Sequence, residues 1–279
     1  MTQTNQPKPQ NKRFVLTREN YYSVEADRKL MSVSSFKNFL KCEASELARI
    51  KGEYVRPSNT AFLEGNFLHS WAESPEAHSK FIEENKDDLF KTKGSGMYAN
   101  FQKIEDNVIP RLEADKDFMK VLQGEKEKIL RAKYLGVEWK ARMDVYNPQK
   151  GYFVDLKFIN NPFNKHFNVE KEVYQNFVEF YGYDFQMVTY AQIEKAKTKR
   201  KEPLKPYILV VSKDDIPYTM LIGDLLDYQD DIIEDTKPKL ERVLAVKEGI
   251  VEPRRCGRCE YCKSSGKLEA YSYKFIPID

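Results

Sequence analysis

The segment from residue 137 to 158 reads Val137-Glu-Trp-Lys-Ala-Arg-Met-Asp144-Val-Tyr-Asn147-Pro-Gln-Lys-Gly151-Tyr-Phe-Val-Asp155-Leu-Lys157-Phe158. Two runs rich in β-branched and aromatic residues, Val137 to Tyr146 and Tyr152 to Phe158, flank a turn marked by Asn147-Pro148 and Gly151. A third run, Lys126 to Tyr134, precedes them across Leu135-Gly136. The pattern predicts an antiparallel meander of three strands. Adjacent strands lie about 4.8 Å apart, so inward-facing Asp144 and Asp155 can share one hard divalent cation, Mg²⁺ or Mn²⁺. Lys157 stands two residues from Asp155 and therefore on the same face. A cation held there lowers the pKa of water and polarises a phosphoryl oxygen, while the ammonium orients the attacking water. Asp-x-Lys is a common tripeptide. Here, though, Val154, Leu156 and Phe158 make the strand largely apolar, where charges are costly to bury and tend to have a purpose.

Helical periodicity takes over on both sides. Residues 32–50 predict one amphipathic helix, with serines as caps, Phe36, Phe39, Leu40, Leu47 and Ile50 as its stripe, and Cys42 inside it. Residues 59–73 predict a second, on which Gly65 and His69 share a face; a glycine there suggests a close backbone approach. Residues 76–123 are helical and charged, broken at Lys93-Gly94-Ser95-Gly96 and at Pro110. After the meander, helix resumes over 170–196 and places Gln186 and Tyr190 four apart on one face. Lys205 to Ser212 is a buried-strand pattern with Pro217 to Ile222 as its hairpin partner. A helix over 224–247 follows, kinked or restarted near Pro238. The order α-β-β-β-α-β predicts an α/β (α+β) fold around a mixed central sheet flanked by helices. Residues 1–13 read as a disordered tail, and 14–279 as a single domain: a helical part (about 30–123), a core (about 124–223), and a C-terminal helix with a cysteine cluster (224–279).

Composition narrows the classes. With 41% hydrophobic residues and no long apolar run, the chain reads as a cytoplasmic protein without a membrane span or secretory leader. A net charge of +3 decides little, because basic groups can gather on one face. Lys195, Lys197, Lys199, Arg200, Lys201 and Lys205 are such a group, readable as a contact to DNA phosphates or as a solvated loop. Cys42, Cys256, Cys259 and Cys262 are the four cysteines, three of them in Cys-Gly-Arg-Cys-Glu-Tyr-Cys. In a cytosolic chain that clustering favours a metal site, either tetrahedral Zn²⁺ or a [4Fe–4S] cluster, and the tight spacing tilts toward the cluster.

The ordered set Gly65-x-x-x-His69, Asp144, Asp155-x-Lys157, Gln186-x-x-x-Tyr190 resembles the RecB-like branch of the PD-(D/E)XK nucleases, and phage or prophage RecE-like exonucleases most closely. The likeness spans about residues 30–265. It implies a restriction-endonuclease-like core and metal ligation by His69, Asp144, Asp155 and the backbone carbonyl of Leu156. Lys157 would be the catalytic lysine, with Gln186 and Tyr190 supporting the site or touching DNA. The family often carries Gly-x-x-Asp at the first carboxylate, where this chain has Lys140-Ala-Arg-Met-Asp144; Arg142 is then a candidate DNA contact. One early and three late cysteines resemble the iron–sulfur staple of AddB-type nucleases.

The expectation is a metal-dependent exonuclease that resects linear duplex DNA, 5′ to 3′, and leaves 3′ single strands for a phage-type annealing protein in a bacterial cytoplasm. Relatives form rings, which makes a homo-oligomer an expectation too. Two alternatives stand beside it: a CRISPR-associated or repair-type single-strand nuclease on the same core, and a non-catalytic DNA-binding protein with a zinc or iron–sulfur module.

Overall fold

The computed structural model describes residues 14–267 apart from 58, 93 and 170, so the expected tail over 1–13 lies outside the described residues. Its strands are β1 (Glu125–Tyr134), β2 (Val137–Asn147), β3 (Tyr152–Ile159), β4 (His166–Asn168), β5 (Val173–Gln175), β6 (Lys205–Ser212) and β7 (Thr219–Ile222). The meander forms as expected. β1 and β2 pair antiparallel from Glu125↔Tyr146 to Tyr134↔Val137, and β2 and β3 from Val145↔Val154 to Asn147↔Tyr152. β6 then adds parallel to β3, and β7 closes the edge antiparallel to β6, giving the order β1-β2-β3-β6-β7. The mixed sheet is the one anticipated, including the hairpin after Ser212.

The helices are α1 (Val24–Lys29), α2 (Val33–Lys41), α3 (Glu43–Lys51), α4 (Thr60–Glu73) and α5 (Pro75–Glu84) before a run of short ones. That run is α6 (Lys86–Leu89), α7 (Ala99–Lys103), α8 (Ile109–Glu113) and α9 (Lys116–Val121). After the meander come α10 (Phe177–Phe180), α11 (Tyr183–Thr198), α12 (Gln229–Lys247) and α13 (Glu260–Ser264). They cover both faces of the sheet. On one face, Phe36, Phe39, Met187 and Leu240 pack on Trp139, Ala141, Met143, Phe153 and Val210. On the other, Phe67, Leu68, Phe101 and Leu112 pack on Val145, Val154, Leu156 and Val211. The strict alternation of Phe153 against Val154, and of Val210 against Val211, is the strand period expressed as two cores. Each fully buried large apolar side chain contributes about 1.5–3 kcal/mol.

Four expectations change. The helix over 32–50 is two helices, because Cys42 adopts an extended backbone (φ −164°, ψ 103°) between α2 and α3. Partners distant in sequence hold this break open. Glu43 accepts from Arg242 and from the Arg254 N–H, and the Ala44 N–H donates to the Arg254 carbonyl. The stretch from 170 is not helical at first: a β4–β5 hairpin and α10, capped by Asn176, precede α11, which starts after left-handed Gly182. The helix after Asp224 opens with a 3₁₀ turn over Leu225–Tyr228 and then runs unbroken through Pro238. Gly65 has no atom within 4 Å of where a Cβ would sit, so it marks no close approach among the described residues. No described helix is long and apolar enough to cross a membrane.

Candidate active site

The chemistry gathers where the sheet splits. The β2–β3 ladder stops at Val145↔Val154, although β3 stays paired to β6 through Asp155↔Ile208 and Lys157↔Val210. Asp144 lies just past the last rung. Its Oδ2 accepts the Leu156 N–H at 2.6 Å, so the carboxylate takes the place of the missing backbone acceptor. The alternation of β2 also slips here: Met143 faces one core, Val145 the other, and Tyr146 the first again. The split thus puts Asp144 on one lip of a notch and Asp155 and Lys157 on the other.

Helices from opposite faces complete the notch. α4, capped by Asn59 and anchored by Phe67 and Leu68, brings His69 Nδ1 to 3.3 Å from Asp144 Oδ1. α11 brings Gln186, whose Nε2 donates to Asp155 Oδ1 at 2.5 Å. Lys157 Nζ sits 2.5 Å from Asp155 Oδ2 and 4.6 Å from the centre of the Tyr183 ring. Tyr190, one turn beyond Gln186, is buried in the adjoining core. Two pairs thus form, His69 with Asp144 and Lys157 with Asp155, joined through the Leu156 N–H; among the described residues the Asp155 carboxylate is not within 4.8 Å of both His69 and Asp144.

Burial is the largest influence on each group; charge pairing overturns it at Asp144, His69 and Lys157, and burial prevails at Asp155. Burial works against an ionised Asp144, but the charge and hydrogen bond of His69, then Lys157 and the Leu156 N–H, hold its carboxyl below the usual range. Burial likewise opposes a charged His69, and Asp144 reverses this and raises its pKa. Asp155 moves the other way: burial raises it more than Lys157 lowers it. Lys157 is raised because Asp155, Tyr183 and Asp144 outweigh its desolvation. Burial pushes the Tyr190 phenol well up.

The structure adds a residue that the sequence reading missed. Glu127, on β1, is 5% exposed and faces Asp144 across the gap between the rungs Lys126↔Val145 and Lys128↔Met143. Ligand atoms of His69, Glu127 and Asp144 lie within 4.8 Å of one another. The signal was available: counting back from the Leu135-Gly136 turn puts 127 opposite 144. The alternating Glu-Lys-Glu-Lys at 125–128 hid it as a solvated edge. Burial, then the charge of Asp144, pushes the Glu127 carboxyl up to about 7. Arg142 pairs with Glu127 at 2.7 Å, lies 4.9 Å from the Tyr22 ring centre, and lines a cleft of about 930 Å³ with His69 and Glu127. Among the described residues, buried Glu127 Oε2 has Arg142 as an ion-pair neighbour without a directed hydrogen bond, and buried Asp155 Oδ2 faces the Lys157 ammonium. Several hard oxygen donors beside an imidazole, with such oxygens left over, fit a divalent cation.

The basic group after α11 does not join the site. From Gln186 to Thr198 the helix runs roughly 18 Å along its axis, carrying Lys199 and Arg200 away from the notch. Arg200 is instead bound at 2.9 Å to buried Glu194, which also accepts from the Tyr146 hydroxyl. Ala141 stands where the family's glycine would be, and Lys140 before it is buried in an ion pair with Asp27 at 2.6 Å.

The four cysteines do meet. Cys42 Sγ and Cys256 Sγ lie 3.6 and 3.9 Å from Cys262 Sγ, and all four sulfurs are within 4.8 Å of one another. Backbone N–H groups of Arg258 and Cys259 pull the Cys256 thiol down to about 6, while burial pushes Cys262 up to about 12. Zn–S bonds of about 2.3 Å place tetrahedral sulfurs roughly 3.8 Å apart, which matches. In a [4Fe–4S] cluster each thiolate binds a different iron, so the sulfurs stand further apart than in a single-metal site.

A split mixed sheet with two carboxylates and a lysine at the break defines a PD-(D/E)XK nuclease fold. The chain belongs to the PDDEXK-like domain family of unknown function DUF3799, whose model matches residues 32–265. It is also similar to a crystal structure from Eubacterium rectale named "Putative exonuclease": 32% identity, TM-score 0.84, covering 95% of this chain and 97% of that one. A second solved structure, SSO0001, aligns at 14% identity over 81% of this chain and 92% of that one, and its TM-score of 0.28 bears no argument. No curated protein matches the chain.

Proposed function

We propose that the protein is a divalent-metal-dependent DNA exonuclease that resects linear duplex ends, 5′ to 3′, and leaves 3′ single strands for a phage-type annealing partner, in the manner of the RecE-like exonucleases its motifs resemble. One observation supports the hydrolytic part: at the sheet split His69 pairs with Asp144, Lys157 pairs with Asp155, and the Asp144 carboxylate bonds the Leu156 N–H between them. The name given to the Eubacterium rectale protein supports the exonuclease part.

In this reading His69, Asp144, Asp155 and the Leu156 carbonyl hold Mg²⁺ or Mn²⁺. When bound, the cation supplies charge for the phosphate and a lowered pKa for the attacking water. The protein's own groups do the rest. Gln186 donates to Asp155 Oδ1 and fixes the orientation of the carboxylate beside Lys157. Lys157, charged and resting on Tyr183, orients the water and steadies the developing negative charge. Arg142, on the cleft wall, meets a backbone phosphate. Tyr190 supports α11 from the core rather than touching the scissile bond. The cysteine cage takes a single Zn²⁺ that fastens α3 to the C-terminal segment.

The test is end dependence. With Mg²⁺, purified protein is expected to release nucleotides from linear duplex and to leave covalently closed circles intact. Equal attack on circles would refute exonuclease action, and preference for single-stranded ends would favour the repair-type alternative.

A further inference from the structure

Outside the four motif residues, the largest unexplained feature of the notch is Glu127. We infer that Glu127 is a protein ligand to a divalent cation that also touches His69 and Asp144, with Arg142 as the counter-ion that holds its carboxylate when that cation is absent. The inference rests on the reading that this cleft takes divalent cations, and adds a ligand that none of the sequence motifs contains.

Three observations carry it. First, the donor atoms of Glu127, His69 and Asp144 lie within 4.8 Å of one another, a spacing one ion can bridge. Second, Glu127 Oε2 is buried and lacks a hydrogen-bond donor, although Arg142 Nε is 2.7 Å away. A carboxylate kept only for its arginine would be expected to take directed N–H bonds from that guanidinium. Third, Glu127 has φ +54° in the middle of a strand, with paired neighbours on both sides. Left-handed backbone at a non-glycine residue persists where the surroundings enforce it, and it clusters at functional sites.

The geometry also divides labour at Asp144. Its Oδ1 faces His69, on the Glu127 side, while its Oδ2 lies against Leu156, on the Asp155 side. Asp144 is thus placed between two groups of donors, one of His69 and Glu127, the other of Asp155 and the Leu156 backbone. Arrival of a cation beside Glu127 neutralises the carboxylate that Arg142 now pairs with and releases the guanidinium into the cleft, where a phosphate can take it.

The experiment is Mn²⁺ binding to the full chain without DNA, read by electron paramagnetic resonance of free Mn²⁺ and by calorimetry. Glu127→Gln is expected to weaken binding at least tenfold. Arg142→Met is expected to tighten it several-fold by removing the competing cation, and to have less than a twofold effect in the Glu127→Gln background. Glu127→Gln binding Mn²⁺ within twofold of the parent, or Arg142→Met weakening it, would overturn the inference and leave the nuclease reading intact. A parent chain that binds no Mn²⁺ would overturn both. Should Glu127→Gln fail to fold, Mn²⁺-soaked crystals of the parent decide. The anomalous peak is expected in contact with the Glu127 carboxylate; a peak on Asp144 with Glu127 still paired to Arg142 refutes the assignment.

Discussion

Replacing Cys42 with serine removes the early corner of the cysteine cage, and the structure sets the size of the effect. Cys42 and Cys256 are 214 residues apart, so a metal joining them closes nearly the whole chain. Treated as a cross-link of the unfolded state, a loop of that length contributes about 5 kcal/mol by chain entropy. For 279 residues, at about 2.1 cal/mol/K each, the unfolding entropy is about 0.6 kcal/mol/K, so the midpoint should fall by about 9 °C. The ion pair of Glu43 with Arg242 and the backbone bonds to Arg254 keep the segments adjacent, so the variant should still fold. The assay is thermal unfolding by circular dichroism with metal analysis, for parent and variant, before and after chelation. Chelated parent and Cys42→Ser should melt together, well below the loaded parent. A parent melt that moves less than about 2 °C on stripping the metal would refute the clamp, and a brown protein rich in iron and sulfide would refute zinc.

Further outcomes follow from individual side chains. Lys157→Met should lower the rate of hydrolysis by roughly 10²–10⁴-fold, the range for a positioned proton-transfer group, while Mn²⁺ binding by calorimetry stays within threefold. Lys140→Met should cost about 3 kcal/mol in urea unfolding, because buried Asp27 then keeps only Arg49, at 2.7 Å, of its two cationic partners. Glu127 makes metal-free stability depend on pH. Its folded pKa of about 7 exceeds the ordinary 4.5, so the unfolded state loses its proton first and the folded state is penalised as pH rises between those values. Without metal, Glu127→Gln should therefore gain stability over the parent at pH 8 and not at pH 4.5, and equal urea midpoints at pH 8 would contradict this.

How far the sequence leads is clear from particular residues. The meander, β6 and its hairpin partner were legible because strand composition and turn residues carry local information: Leu135-Gly136 and Asn147-Pro148 stop each strand where the structure does. The pairing of Asp155 with Lys157 was legible from strand parity, since residues two apart share a face. The break at Cys42 was not, since its cause lies some 200 residues away in Arg242 and Arg254. The β4–β5 hairpin was hidden by the aromatic stripe that α10 and α11 share with it. Lys199 and Arg200 read as a DNA contact from charge alone, and the pairing of Arg200 with buried Glu194 was not legible because Glu194, on the preceding helix, is one acid among many in the chain. The meeting of Cys42 with Cys256, Cys259 and Cys262 exists only in three dimensions.

The most direct test compares the parent chain with Asp155→Asn on end-labelled linear duplex in Mg²⁺. The substitution keeps the side-chain shape and removes one anionic donor. The account predicts progressive release of nucleotides by the parent and a rate at least a hundredfold lower for the variant at an unchanged melting temperature. Digestion by Asp155→Asn at the parental rate would contradict it.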